Sequence, residues 1–164
     1  MILGFGHPGI VVSDLERARE FYQRMFGFHV IGTEGWDNSE EFDRAIGLSG
    51  SATRGYMMAG HNCFLELWEF SAPPQSAPAP ASLGAHEPGI RHLAFYVDDC
   101  QRECARLIEL GGTLVGEPAG NVDVGYAAYC RDPFGNLIEL AEVPTEAERL
   151  DSLPGVSRVG RFEG

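Results

Sequence analysis

Two histidines and two glutamates recur in this chain at matching places. His7 opens His7-Pro-Gly-Ile-Val-Val-Ser-Asp14, and His92, 85 positions on, opens His92-Leu-Ala-Phe-Tyr-Val-Asp-Asp99. Each is followed by a glutamate set among aliphatic residues, in Phe64-Leu-Glu66-Leu67 and in Leu137-Ile-Glu139-Leu140. A carboxylate in such a strand is costly to bury unless something neutralises it. An Arg partner would serve one glutamate. Two His/Glu pairs at corresponding places in a repeated unit point instead to a shared divalent cation, with His7, Glu66, His92 and Glu139 as its ligands. Imidazole and carboxylate donors suit Ni, Co, Zn, Mn or Fe alike.

The elements that must position these residues are read from periodicity. Residues 5–12 read as a strand, with Pro8 placing it at a sheet edge because proline lacks an N–H for the ladder. Ser13-Asp-Leu-Glu16 reads as a capping box. Leu15, Ala18, Tyr22 and Met25 follow at helical spacing, and Gly27 stops the helix. Strands are expected at 28–34, 54–59 and 63–70, with a polar stretch at 36–50 that holds a short helix bearing Phe42 and Ile46. The second half repeats this order: strand 91–97, helix 99–110 capped by Asp98, and strands near 113–117, 126–131 and 136–142. Asp132-Pro-Phe-Gly135 reads as a type I turn. His7 and Glu66 lie 59 positions apart, His92 and Glu139 only 47, and the surplus of twelve falls in the polar stretch of the first half.

The expected architecture is α+β. Two βαβββ modules form a cupped mixed sheet around a metal site, with helices on the outer face. Residues 1–70 are the first module, 71–90 a Pro/Ala/Ser-rich linker, 91–143 the second module and 144–164 a C-terminal tail. Strand alternation places Glu66 on one face with Phe64, Trp68 and Phe70. Together with Met58 and Tyr126 these are expected to line an apolar substrate pocket, with Glu117–Gly125 as its lid.

Composition narrows the partners. Twelve basic and 24 acidic residues give a net charge of −12, which disfavours nucleic acid and anionic membrane and leaves a small-molecule substrate. No segment reaches the length of an apolar span and no signal-peptide pattern opens the chain, so a cytoplasmic location is expected. The four cysteines form no CxxC pair and are expected to be reduced and mostly buried.

The motifs His7…Ser-Asp-Leu-Glu-Arg-Ala-Arg-Glu-Phe-Tyr22…Phe26-Gly27 and Asp132-Pro-Phe-Gly-Asn-Leu-Ile-Glu139-Leu resemble the vicinal oxygen chelate superfamily. That group takes in glyoxalase I, methylmalonyl-CoA epimerase, fosfomycin- and bleomycin-resistance proteins and extradiol dioxygenases. The resemblance spans residues 5–143. It implies paired βαβββ modules and one divalent metal ion, and His7, Glu66, His92 and Glu139 fall on the four ligand positions of the glyoxalase I type. Ring-cleaving dioxygenases generally lack the ligand matching Glu66, and bleomycin-resistance proteins lack the metal set. The full set therefore implies a metal-dependent lyase or isomerase that transfers a proton next to a carbonyl, with Glu139 or Glu66 as base. The alternatives are a non-catalytic binder of an antibiotic or aromatic molecule and a metal-dependent ring-cleaving dioxygenase. Val11 and Phe70 replace an arginine and an asparagine that hold glutathione in bacterial glyoxalase I, and Gly55 falls where the epimerase carries a second acid/base glutamate. A homodimer is implied, with the site formed within one chain or across swapped modules.

Overall fold

The computed structural model describes Ile2 and residues 4–143; the expected C-terminal tail lies outside them. The fold is α+β, and two compact units divide between Ala77 and Pro78.

The first unit runs β1 (Gly9–Val11), α1 (Leu15–Phe26), β2 (His29–Asp37), α2 (Glu40–Ile46), β3 (Ala52–Gly60) and β4 (Cys63–Ala72). Its sheet has the order β1-β4-β3-β2, with β1 parallel to β4 and the other neighbours antiparallel. The second unit runs β5 (His92–Val97), α3 (Cys100–Glu109), β6 (Thr113–Leu114), β7 (Ala119–Asn121), β8 (Gly125–Arg131) and β9 (Leu137–Glu142). Its order is β5-β9-β8-β6, with β7 also paired to β8. The two orders are the same once β6 and β7 are taken together as the counterpart of β2.

Register makes the repeat quantitative. Gly9, two residues after His7, pairs with Glu66, and Ala94, two residues after His92, pairs with Glu139. A one-residue slip would turn a strand's side chains to the other face, so this shared offset sets the two pairs in the same way.

The helices begin one residue later than the capping pattern predicts. Asp14, not Ser13, caps α1 and accepts from Arg17 N; Asp99, not Asp98, caps α3 and accepts from Arg102 N. The reason lies on the last strand of each unit. Glu69 accepts from Leu15 N (3.0 Å) and Glu142 from Cys100 N (2.9 Å), so a distant carboxylate takes the first free helix amide in each unit. Glu16, freed from the expected box, turns to Arg19 and to the Tyr56 hydroxyl at 2.6 Å.

Each sheet packs one face on its helix. In the first unit Leu15, Ala18, Phe21, Tyr22 and Met25 bury against Leu65, Leu67, Met58 and Phe28. In the second, Leu107, Ile138 and Leu140 pack with Cys100, Cys104 and Cys130, all three thiols free and buried.

Two connecting stretches carry local structure. In Glu117–Gly125, β7 pairs with β8, and Asn121 Oδ1 accepts from Asp123 N and Val124 N in a side-chain-closed turn. The Pro-rich stretch 71–90, within which the two units divide, is ordered at both ends. Strand β4 runs into it as far as Ala72, and a 3-10 turn at Pro80–Ser82 is held by Arg131, which donates to Pro80 O and Leu83 O.

Candidate metal and substrate site

Each unit carries one His/Glu pair on the sheet face away from its helix. His7 Nε2 lies 3.4 Å from Glu66 Oε2, and His92 Nε2 lies 3.1 Å from Glu139 Oε2. Side-chain exposures match across the units, 37% and 17% for the first pair and 35% and 22% for the second. In both, the imidazole is reachable and the carboxylate sheltered. Gly9 sits over Glu66, where an added Cβ would come to 3.4 Å from Oε2.

The donor set fits a divalent ion. Two ligand atoms at ~2.1 Å from a metal and at right angles to each other are ~3 Å apart, close to both observed separations. Among the described residues no group of three or more His, Cys, Asp or Glu side chains is placed to hold an ion, so each unit by itself presents two ligands.

Two neighbours of these pairs escaped the sequence reading. Glu34, on β2, shares a hydrogen bond with Glu66. Its carboxyl is held above the usual range by burial first and by the Glu66 charge second, with His7 opposing. It reaches there from a position paired with Gly55 of β3. Tyr129 pairs directly with Glu139 on β8. Its ring meets His92 edge-on at 5.1 Å, and burial, then the Glu139 charge, raises its phenol. Strand register could have found Tyr129; Glu34 needed the pairing of β2 with β3, which a bulge between Val30 and Gly32 hides.

The expected pocket residues divide. Trp68 and Phe70 share the face of Glu66 by strand alternation and are joined by Trp36, whose ring lies 5.3 Å from Trp68 and 6.3 Å from Phe70. Phe64 lies on that face at the start of β4, half-buried, opposite Ala59. Met58 is a correction: it is fully buried, one residue out of phase with Met57, which pairs with Glu66. It belongs to the core under α1. Tyr126 is a second correction. It alternates with the buried Ala128 and Cys130, away from Tyr129 and Glu139.

These features place the chain in a defined family. Residues 4–140 match the model of the Glyoxalase/Bleomycin resistance protein/Dioxygenase superfamily, and the chain belongs to it. It is 24% identical over 144 residues to a probable lactoylglutathione lyase of Synechocystis, covering 87% of this chain and 97% of the relative. A glyoxalase family protein from Bacillus cereus superposes with a TM-score of 0.78 at 27% identity, covering 87% of this chain and 95% of the other. The genomically encoded fosfomycin resistance protein of Listeria monocytogenes, solved with Mn(II), shares the fold at a TM-score of 0.55 and 22% identity over 92% of this chain and 97% of the other. The superfamily holds both enzymes and resistance proteins. No helix among the described residues is long and apolar enough to cross a membrane.

Proposed function

We propose that this protein is a metal-dependent lyase or isomerase of the glyoxalase type, moving a proton at a carbon next to a carbonyl of a small-molecule substrate. The observation that carries this reading is the shared register of the two His/Glu pairs. A repeat kept to the same offset on two independent sheets supplies four ligands of the right chemistry, two per unit. His7, Glu66, His92 and Glu139 would hold one divalent ion, within one chain or between the subunits of a homodimer. The ion would supply Lewis-acid polarisation of a substrate carbonyl. Glu139 and Glu66 are the candidate bases, each with a histidine beside it. Glu34 is a second carboxyl beside Glu66, raised by burial and by the Glu66 charge, and is a candidate to relay a proton there. Tyr129 holds the Glu139 carboxylate from the other strand.

Metal content of protein purified without chelators tests this. One ion per His/Glu-His/Glu set in the wild type and none in Glu66→Ala supports the site; equal metal in both removes Glu66 from it. Glu139→Gln should then keep the fold and lose turnover of 2-oxoaldehydes or acyl epimers. A second reading, a non-catalytic binder of an aromatic or antibiotic molecule, is favoured by the cluster of Trp36, Trp68 and Phe70. Undiminished ligand binding by metal-stripped protein would decide for it. Substrate-dependent oxygen uptake would instead mark a ring-cleaving dioxygenase.

A further inference from the structure

Helix α2 of the first unit turns apolar side chains to the outside. Trp36 stacks on Phe42 with ring centroids 4.7 Å apart and planes within 19°, and also meets Trp68 and Phe70. Ile46 stands one turn on from Phe42 along α2, and Leu48 follows the helix. Phe42 is 46% exposed, Ile46 43% and Leu48 39%; Trp36, Trp68 and Phe70 are half-buried. Contiguous apolar surface of this kind marks an interaction site more often than bare surface.

The surface is held in one shape. Trp36 Nε1 donates to Ser51 Oγ at 2.7 Å. Ser51 is fully buried and is gripped by Asp43, which also accepts from Gly50 N (2.7 Å) and Ser51 N (3.1 Å). One residue of α2 thus orients the indole through Ser51 and its neighbour Phe42 stacks on it. A surface fixed in advance loses little entropy when it is covered.

Its rim is acidic. Residues 37–46 hold Asp37, Glu40, Glu41 and Asp43 against the single Arg44, and Glu40 and Glu41 are exposed in the first turn of α2. The occupant that fits offers apolar groups with positive charge among them. The chain has such a segment in its C-terminal tail. Val156-Ser-Arg158-Val159-Gly-Arg161-Phe162 carries two arginines and no acid, in a chain of net charge −12. Val156, Val159 and Phe162 recur every third residue, as do Arg158 and Arg161. Residues three apart share a side of a helical turn and of a polyproline turn, so the apolar groups can face one surface with the arginines beside them. The connecting residues 144–155 reach up to ~40 Å, about the width of a compact chain of this length. Tethering makes the encounter intramolecular, at an effective concentration up to the millimolar range.

We propose that Val156, Val159 and Phe162 of the chain's own tail dock on the surface made by Trp36, Phe42 and Ile46, with Arg158 and Arg161 against the acidic rim of α2. The inference is independent of the metal reading, and its test needs neither ion nor substrate.

Trp36 and Trp68 are the chain's two tryptophans, so quenching of their emission by acrylamide reads access to this surface. The full-length protein is compared with Phe162→Ala, with the double variant Arg158→Glu/Arg161→Glu, and with Ile46→Ala, an exposed α2 position at which no indole ring is replaced. Loss of the Phe162 anchor should lower the docking equilibrium about thirtyfold, seen as a rise in the quenching constant toward that of a variant carrying all three tail changes. The arginine variant should rise likewise, which guards against an effect of side-chain size alone. Ile46→Ala should also raise quenching, and should add nothing once Phe162 is already alanine. Circular dichroism spectra should be unchanged throughout. Tail variants that quench as the wild type does would overturn the proposal. Ile46→Ala and Phe162→Ala effects that simply add would overturn it too, because the two residues would then act at separate places. A rise in quenching accompanied by a fall in sedimenting mass would assign the docked tail to a second copy and overturn the intrachain contact.

Discussion

The two units are built alike at the His/Glu pairs and at the helix starts, and unlike in the residues next to the pairs on the same sheet face. His7 and His92, Glu66 and Glu139, the caps Asp14 and Asp99, and the helix-amide acceptors Glu69 and Glu142 occupy equivalent places. The next residues on the same faces do not match. Opposite Glu66 stands Met57, opposite Glu139 stands Tyr129. One pleat further, the first unit has Trp68, Gly55 and Glu34 in a row across its sheet, where the second has Ala141, Ala127 and Ala119. A ligand set works only if both halves keep it, whereas a substrate is contacted by whichever half reaches it. The paired chemistry is thus repeated while its surroundings differ: the next row is Trp68, Gly55 and Glu34 in the first unit and three alanines in the second.

The sharpest break of that comparison is at the histidines. His7→Ala and His92→Ala are expected to lose the ion to the same degree, each by more than the ~10–100-fold that removal of an outer-shell partner produces. Metal retained by one variant and lost by the other, measured by mass spectrometry on chelator-free protein, would show that the pairs are not equivalent.

Next in size is the exchange at the row that differs. Gly55→Ala places a methyl 2.6 Å from the Trp68 ring and 2.7 Å from Leu67 O, where neither ring nor backbone can yield cheaply. Overpacking of this kind costs about 1–3 kcal/mol, and the tryptophan emission should shift with the displaced indole. The equivalent change in the second unit, Ala127→Gly, removes a methyl from an open row and should cost only about 0.5–1 kcal/mol through chain entropy. Urea denaturation of the two variants compares them; equal losses would mean that Trp68 is not seated on Gly55.

The two His/Glu pairs and the element order were legible in the chain because a repeat carries its own control: what one half suggests, the other repeats. The helix starts were not. Ser13-Asp14 and Asp98-Asp99 each offer two adjacent cap residues, and the choice follows Glu69 and Glu142, more than forty residues away. Met58 and Tyr126 were misplaced for a different reason. Hydrophobic type says that a side chain is buried but not in which layer, and only the pairing of Met57 with Glu66 and Tyr129 with Glu139 sets the phase. Glu34 was invisible because charged residues on an edge strand look like solvated ones until the neighbouring strand is known to be glycine.

A smaller effect sharpens the contrast at α2, which among the described residues only the first unit has. Asp43 is held ionised by Ser51 and the Gly50 and Ser51 amides. A carboxyl depressed in the folded state adds stability above its unfolded pKa, and that stability is lost as the pH falls through the folded one. The acid limb of a thermal-stability profile should therefore carry an Asp43 component that Asp43→Asn flattens. The same substitution should loosen the Trp36 indole through Ser51. An unchanged acid limb in Asp43→Asn would detach α2 from the aromatic surface.

The smallest effect reports the second unit alone. Its core is filled in part by Cys100, Cys104 and Cys130, with Cys130 next to Tyr129 as Met58 is next to Met57. Burial pushes the Cys100 thiol up to about 12 and the Cys104 thiol up to about 11, and raises Cys130 as well. Thiolate is the reactive form, and these residues are at most 4% exposed, so neither charge state nor access favours attack. Cys63 is exposed at the start of β4 in the first unit. A chromogenic disulfide reagent added to native protein at neutral pH should therefore titrate one thiol quickly and three only as the second unit opens. Since Trp36 and Trp68 both lie in the first unit, the slow thiol phase and the indole emission follow different halves of the molecule. Gly55→Ala should move the emission while the three slow thiols stay protected in native buffer. Fast reaction of more than one thiol in the wild type would mean that the second core is not closed around its cysteines.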